Sequence, residues 1–243
     1  MMMMSITDLV SGLRNSGVSR LPALVVCVAA LGVLAFIYIG HEVGENELLQ
    51  FDAAILLALR DPADLSRTIG PPWLAESVVE ITALGGYTLI VLLLAAVIGF
   101  LLVAGRRGPA LFVFLSIVTG SLLSQLLKSF YDRPRPDLVP QLDIVHTASF
   151  PSGHAMMSTL AYLTLASIVA QLSEKTRVRV YVFAVAILLA VIVGLSRIYL
   201  GVHWPTDVIG GWALGAAWAA LAWLVASMLR RRRDREAGRA GSR

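Results

Sequence analysis

Six apolar segments, separated by short polar ones, constrain this chain more than any other feature. The first contains nineteen residues without a charge, and a helix of that length roughly matches the hydrocarbon core of a bilayer. Charged residues make up only 15% of the chain, whereas soluble domains contain about 25%. The pattern predicts an all-α fold, a six-span transmembrane helical bundle. The predicted spans are 21–39, 82–104, 109–127, 154–172, 180–200 and 208–229.

Lysine and arginine are distributed unevenly between the connecting segments. Fourteen of the twenty lie in 1–20, 105–108, 173–179 and 230–243, which are all on one side of a six-span protein. Because cytoplasmic loops carry the excess of positive residues, both termini are predicted to be cytoplasmic. The chain divides into a cytoplasmic N-terminal segment (1–20), a membrane domain (21–229) and a basic cytoplasmic tail (230–243). The tail follows an apolar span, so we interpret it as a membrane anchor and expect no nucleic-acid partner.

The connection between the first two spans, residues 40–80, is the largest polar section. Within it, residues 48–59 are apolar on most of one face but too few to cross a bilayer. We predict a short interfacial helix in this first extracytoplasmic loop. A helix packed within the loop is the alternative.

Three segments rich in polar and charged residues fall on the same predicted extracytoplasmic side. Residues 128–136 end the third span, residues 149–154 open the fourth, and residues 196–207 join the fifth to the sixth. Charged residues at the ends of apolar spans need partners or a function. We therefore predict one site assembled from three helix ends.

The residue types in these segments suit a phosphate group. Lys128, Arg135 and Arg197 supply three positive charges for the roughly two negative charges of a phosphate monoester. Ser152 stands where a helix N-cap would, and a helix N-terminus binds anions through its free N–H groups. Gly153 lets the backbone approach the phosphate closely.

Two histidines and an aspartate can divide the proton transfers. His203 precedes Asp207 by four residues, so the carboxylate can fix the tautomer of the ring and stabilise the positive charge that develops on it. This makes His203 the predicted nucleophile and Asp207 the residue that orients it. His154 is then the predicted general acid.

The three segments resemble the three-part signature of the type 2 phosphatidic acid phosphatase superfamily, which also contains vanadium haloperoxidases. The signature reads Lys-x6-Arg-Pro, Pro-Ser-Gly-His and Ser-Arg-x5-His-x3-Asp. The matching residues are Lys128, Arg135 and Pro136, then Pro151, Ser152, Gly153 and His154, then Ser196, Arg197, His203 and Asp207. The resemblance implies a lipid phosphatase domain with its signature at 128–207. It also implies a phosphohistidine on His203, a leaving group protonated by His154, and hydrolysis by water with no metal or other cofactor.

The resemblance also limits the substrates to membrane lipids with a phosphate or diphosphate headgroup. Phosphatidic acid, phosphatidylglycerophosphate and a polyprenyl diphosphate such as undecaprenyl diphosphate are the candidates, and we favour the last slightly. The expected location is the plasma membrane, with the site on the extracytoplasmic side. A phosphotransferase that uses the same phosphohistidine is the main alternative. A non-catalytic lipid-binding or transport protein is another, and the oligomeric state is left open.

Other charged residues in the same region receive no catalytic role. Arg133 lies outside the signature positions, and we interpret it as a loop charge near the headgroup. Asp132, Asp137 and Asp143 have no spacing typical of a metal site and are interpreted as solvated loop carboxylates. His146 has no assigned role. The single cysteine excludes a disulfide framework.

Overall fold

The computed structural model describes residues 20–45, 47–143, 145 and 147–240. Most of the predicted N-terminal segment and His146 lie outside these residues. The elements in chain order are α1 (Arg20–Glu45), α2 (Leu49–Ala58), β1 (Arg60–Asp61), β2 (Asp64–Thr68), α3 (Pro72–Ala83), α4 (Tyr87–Val103), α5 (Arg107–Tyr131), α6 (Gly153–Val169), a 3-10 turn (Ala170–Leu172), α7 (Thr176–Tyr199) and α8 (Pro205–Ala240).

Five helices in the described part of the chain are long and apolar enough to cross a membrane. They comprise Leu21–Glu45, Arg107–Tyr131, Gly153–Leu172, Thr176–Tyr199 and Pro205–Arg233. The predicted second span, 82–104, corresponds mainly to α4, which has 17 residues. Helix α3, most of which lies in the predicted loop, precedes it at a bend of 43°. Counting the pair as one span gives six. The predicted helical, multi-pass membrane bundle is thus confirmed, while the cytoplasmic position of both termini and the division into segments stay predictions.

The bend between α3 and α4 is tightly packed against neighbouring helices. A side chain at Gly85 would collide with Val193 of α7 and would lie 3.4 Å from Cδ2 of His154. The close approach therefore requires glycine at the bend. The carbonyl of Leu84, left free by the break, accepts a hydrogen bond of 2.7 Å from the hydroxyl of Tyr162. The carbonyl group exposed by the break thus keeps a hydrogen-bond partner inside the bundle.

Helix α6 lies at the centre of the bundle and packs against α7 and α8. Small residues on α8 permit this: a Cβ at Gly211 would lie 2.8 Å from the Ser152 carbonyl, and one at Gly215 would lie 2.6 Å from that of Met156. Apolar side chains gain little from helix contact within lipid, so close backbone packing stabilises such interfaces. It also brings the two helix N-termini together, and the Ser152 N–H donates to the Asp207 carbonyl at 3.0 Å.

The segment between the first two spans is more ordered than a loop. Helix α1 continues to Glu45, and α2 and the antiparallel hairpin β1–β2 follow. Helix α2 buries Leu56 in a cluster with Ile198, Trp204 and Val208 from the α7–α8 region. Its opposite face leaves Phe51 48% exposed. The structure therefore shows a helix packed on the bundle, as in the alternative; its depth relative to the membrane surface stays a prediction.

The turn from α7 to α8 depends on one glycine. Gly201 has a φ of +72°, and a Cβ there would lie 2.7 Å from Nη2 of Arg60 and 2.9 Å from Val139. A side chain is disfavoured both by that backbone conformation and by the lack of space. Arg60, in β1, also donates to the carbonyl of Tyr199 at 3.0 Å. The hairpin thus contacts the end of α7, close to the third signature segment.

Candidate active site

Four helix ends meet at one end of the bundle: the C-termini of α5 and α7 and the N-termini of α6 and α8. All eight site residues predicted from the sequence lie there. Six of them are buried, and Arg135 and His154 are half-buried. The buried ones include Arg197, Ser152 and Asp207 at 0% exposure, His203 at 2% and Lys128 at 9%.

The ring of His203 is held from both sides. Its Nδ1 lies 3.3 Å from Oδ2 of Asp207, and its Nε2 lies 3.3 Å from Nη1 of Arg135. A guanidinium group can only donate hydrogen bonds, so Nε2 must be the acceptor. The ring hydrogen is therefore assigned to Nδ1, which donates to Asp207. This tautomer leaves a lone pair on the nitrogen that faces Arg135.

The surroundings of His203 keep its ring neutral. Burial lowers the pKa of His203 to about 3; Asp207 opposes the shift, and the charges of Arg135 and Lys128 add to it. At neutral pH the ring is unprotonated at Nε2, which is the form that can act as a nucleophile. Burial and the nearby Arg197 charge lower the pKa of Arg135 to about 10, so this residue keeps its positive charge at neutral pH.

Asp207 caps α8 as well as holding His203. It is the third residue of the helix, after Pro205 at the first position. Its Oδ2 accepts the backbone N–H of Trp204 at 2.9 Å, and the hydroxyl of Ser149 also donates to this oxygen. The cap orients the carboxylate because the first turn of the helix is rigid. The fixed start of α8 thus determines where the His203 ring is held.

Arg197 is a buried guanidinium with unused donors. Its Nη1 donates to the hydroxyl of Thr82 at 3.0 Å and to Asp143 at 2.7 Å. Its Nε and Nη2 are buried and have no hydrogen-bond partner among the described residues. Buried polar groups without partners cost free energy. These two donors are therefore suited to an oxyanion.

Two further cations are held by the α5–α6 loop. Lys128 donates to the carbonyl of Ala148. Arg135 donates to the carbonyls of Thr147 at 2.8 Å and Val202 at 2.6 Å. These contacts connect the end of α5 to the α6 and α8 ends of the site. Both side chains are thereby held beside the ring of His203.

The start of α6 contributes a capped helix N-terminus. Ser152 is its N-cap residue and accepts from the Ala155 N–H at 3.5 Å. A Cβ on Gly153 would lie 3.6 Å from Cε of Lys128, an ordinary contact distance. The lysine stem therefore lies beside the first turn of α6. A helix N-terminus and a cation side by side favour an anion.

His154 lies in the first turn of α6, against the bend between α3 and α4. Gly85 leaves room for its ring. Arg197, Arg135 and Lys128 all lie close enough to interact with it electrostatically. The structure thus brings His154 to the same cluster of cations as His203, as expected for two residues that serve one substrate.

The structure corrects two interpretations of loop residues. Arg133, interpreted as a loop charge near the headgroup, lies in the loop but is buried and pairs with Asp207 at 2.6 Å and with Asp52 at 2.8 Å. Asp143 is not simply solvated either, because it pairs with Arg197 at 2.7 Å and its side chain is only 38% exposed. Asp132 and Asp137 are exposed. The partners come from distant parts of the chain, so residue spacing could not show these pairs.

The sequence reasoning missed three residues around the site. Thr82 accepts from Arg197, Ser149 donates to Asp207, and Asp52 accepts from Arg133. For Asp52 a signal was present: it is the only charged residue in the apolar helix α2. A lone carboxylate in such a segment usually has a buried partner.

Comparison with known proteins agrees with this arrangement. Residues 109–231 match the model of the PAP2 superfamily. The chain is 34% identical over 185 residues to phosphatidylglycerophosphatase B of Bacillus subtilis, covering 75% of this chain and 86% of that protein. It is 43% identical over 68 residues to an undecaprenyl-diphosphatase of Sulfolobus acidocaldarius, covering 28% of this chain and 29% of that protein.

A solved structure gives the same result. The crystal structure of a transmembrane PAP2-type phosphatidylglycerolphosphate phosphatase from Bacillus subtilis superposes with a TM-score of 0.71 and 31% identity, covering 80% of this chain and 93% of that one. Fold, site and relatives together define a multi-pass membrane phosphatase. The chain belongs to the PAP2 superfamily, and the resemblance of the three segments is confirmed.

Proposed function

We propose that this protein removes one phosphate group from a membrane lipid phosphate or diphosphate, at the extracytoplasmic face of the plasma membrane, through a phosphohistidine on His203. One observation carries the proposal. The neutral ring of His203 has Nδ1 held by Asp207, while Nε2 lies at 3.3 Å from a cation that can bind phosphate oxygens. A nucleophile oriented by a carboxylate and placed beside oxyanion donors is the arrangement that phosphoryl transfer requires.

The reaction proceeds in two displacements. In the first, the Nε2 lone pair of His203 attacks phosphorus, the bond to the leaving oxygen breaks, and His154 donates a proton to that oxygen. Asp207 stabilises the positive charge on the imidazole ring. In the second, His154 takes a proton from water, the water oxygen attacks phosphorus, and His203 leaves with its electron pair. The products are inorganic phosphate and a lipid alcohol, or a lipid monophosphate when the substrate is a diphosphate.

The cations stabilise the charge on the transferred group. Arg197 offers two buried donors without partners, and Lys128 and Arg135 add positive charge from the end of α5. The first-turn N–H groups of α6 complete the anion site. Such preorganised donors are strongest where water is excluded, and the burial of Arg197 and His203 supports this.

Two lipid headgroups are the leading candidates. Similarity along most of a phosphatidylglycerophosphatase favours phosphatidylglycerophosphate. The shorter similarity to an undecaprenyl-diphosphatase supports a polyprenyl diphosphate. In both lipids the tail stays in the bilayer while the phosphate lies at headgroup depth, where the site is proposed to lie.

The decisive experiment is phosphate release by purified protein from phosphatidylglycerophosphate, phosphatidic acid and undecaprenyl diphosphate, with a soluble phosphate ester as reference. We expect at least one lipid to react with a kcat/KM about tenfold or more above the soluble ester, because binding energy from the tail contributes to the transition state. No release from any of the lipids would contradict the proposal. Transfer of labelled phosphate to an added acceptor lipid would indicate a phosphotransferase instead.

Activity should persist in excess chelator. The positive charges that a metal would supply are present as Lys128, Arg135 and Arg197. The described part of the chain also contains no group of three or more His, Cys, Asp or Glu side chains placed to hold an ion. Phosphate release should therefore be unchanged after prolonged treatment with EDTA. A loss of activity that magnesium reverses would contradict a mechanism without metal.

The proposed orientation predicts a labelling pattern. In a variant with Cys27→Ser, we expect a membrane-impermeant maleimide to label Leu142→Cys in intact cells but not Glu174→Cys. Leu142 lies in the loop beside the site, and Glu174 lies in the connection before α7; both are exposed. Permeabilised cells serve as the control, in which both positions should react. The reverse pattern in intact cells would invert the topology.

A further inference from the structure

Arg133 lies between two buried carboxylates at the edge of the site. Its Nη1 is 2.6 Å from Oδ1 of Asp207, and its Nη2 is 2.8 Å from Oδ2 of Asp52. Both carboxylates are fully buried, and the side chain of Arg133 is 7% exposed. Its guanidinium carbon also lies 5.4 Å from the ring centre of Trp204. Such a group costs free energy to bury unless its pairing is well satisfied.

Asp52 connects this ion pair to the start of α8. Its Oδ1 accepts the Thr206 N–H at 2.9 Å, and its Oδ2 accepts the Thr206 hydroxyl at 2.6 Å. That hydroxyl in turn accepts from Arg133 at 2.8 Å. The positive end of α8 favours a carboxylate at this position. Helix α2 is thereby joined to the residue directly before Asp207.

The two oxygens of Asp207 have separate partners. Oδ1 accepts from Arg133, while Oδ2 accepts from Ser149, from the Trp204 N–H and from His203. Rotation of the carboxylate would break both sets of bonds, so Arg133 fixes its plane. Two carboxylates and one guanidinium also leave one net negative charge beside His203, which suits a ring that becomes positive during the reaction.

We propose that Arg133 and Asp52 are positioning residues for the phosphatase reaction. Asp52 orients Arg133, and Arg133 holds the Asp207 carboxylate in the plane that receives the Nδ1 hydrogen of His203. The inference rests on the proposed role of His203 as nucleophile. Neither residue occupies a position of the three-part signature, and Asp52 lies outside the matched residues 109–231. The inference gives helix α2 a part in catalysis.

The test compares Asp52→Asn, Arg133→Gln and the double variant with two exposed controls on the hairpin, Asp64→Asn and Arg67→Gln. Asparagine keeps the shape and an acceptor for the Thr206 N–H but removes the charge that orients Arg133. On the best lipid substrate we expect each site variant to lower kcat about 10- to 100-fold, as loss of a supporting partner typically does. KM should change less than about twofold, since substrate contacts remain.

Non-additivity and rescue separate positioning from a purely structural role. The double variant should be no slower than Arg133→Gln alone, because both changes break one chain of contacts. For purified Arg133→Ala, added methylguanidinium should raise kcat at least about fivefold, because it can refill both ion pairs. A role confined to folding would not respond to an ion added afterwards.

Several outcomes would overturn the inference. If the site variants have a lower yield or thermal stability but an unchanged kcat, the role of the network is structural. The same conclusion would follow from fully additive losses of kcat in the double variant, or from no rescue of Arg133→Ala by methylguanidinium. If the Arg133→Gln protein cannot be produced in folded form, kcat is measured for Asp52→Asn and Arg133→Lys instead. An unchanged kcat in these two variants would equally contradict the positioning role. Wild-type protein inactive on every lipid would instead overturn the proposed function and this inference with it.

Discussion

Replacing His203 with alanine should lower phosphate release at least about 10⁴-fold and leave a folded protein in the membrane. The imidazole is the proposed nucleophile, and its Nε2 lies 3.3 Å from Nη1 of Arg135. The expected loss therefore falls on the chemical step and not on lipid binding. Phosphate release and substrate binding by purified protein, measured separately, would show this division.

A matched control is His41→Ala, because His41 lies at the end of α1 with its side chain 66% exposed. This variant should keep wild-type activity. Acid-labile phosphate should be trapped on wild-type protein after rapid quenching with labelled lipid, and none should appear on His203→Ala. Residual turnover above about one per cent in the His203 variant would show that the nucleophile is a different group.

Replacing Arg197 with lysine should lower kcat/KM about 10²- to 10³-fold. Lysine keeps the positive charge but is a point charge without the planar fork of guanidinium. It cannot at once reach Thr82 and Asp143 and supply the two donors that now lack partners. The measurement is the kinetics of phosphate release, together with inhibition by inorganic phosphate, which should weaken in parallel.

Arg179→Lys is the control for this substitution. Arg179 is exposed near the start of α7, and its side chain donates only to the Ser173 carbonyl among the described residues, so its replacement should not affect catalysis. If Arg197→Lys reduces thermal stability but keeps kcat/KM within about fivefold, the two free donors do not serve the transition state. Arg197 would then be a structural partner of Asp143 and Thr82.

Contacts between site residues that are close in the sequence were predictable. His203 and Asp207 are four residues apart with Pro205 between them, and a proline at that place predicts a helix start. A carboxylate in a first helical turn can reach back to the residues before the helix. The contact between the two side chains therefore follows from local geometry. The structure shows this contact at 3.3 Å.

The ion pairs of the site were not predictable in the same way. Arg133 pairs with Asp52, which is 81 residues away in the sequence, and Arg197 pairs with Asp143, which is 54 residues away. Nothing in the local sequence of Arg133 distinguishes a solvated loop cation from a buried one, because burial depends on which helix folds over it. The bend before α4 is similar: apolar composition does not predict it, and at Gly85 the bend lies in close contact with Val193 of the distant helix α7.

The sequence alone determined the membrane class, the approximate spans and the family, and it indicated the residues that the structure brings together at one end of the bundle. These properties depend on composition and on short-range spacing, and both are encoded locally. Only the tertiary structure decided that α2 packs on the bundle, that Arg133 joins Asp52 to Asp207, and that two donors of Arg197 stay without partners. Such properties depend on close packing between segments distant in the chain, which small residues such as Gly85 and Gly211 permit and which no local pattern specifies.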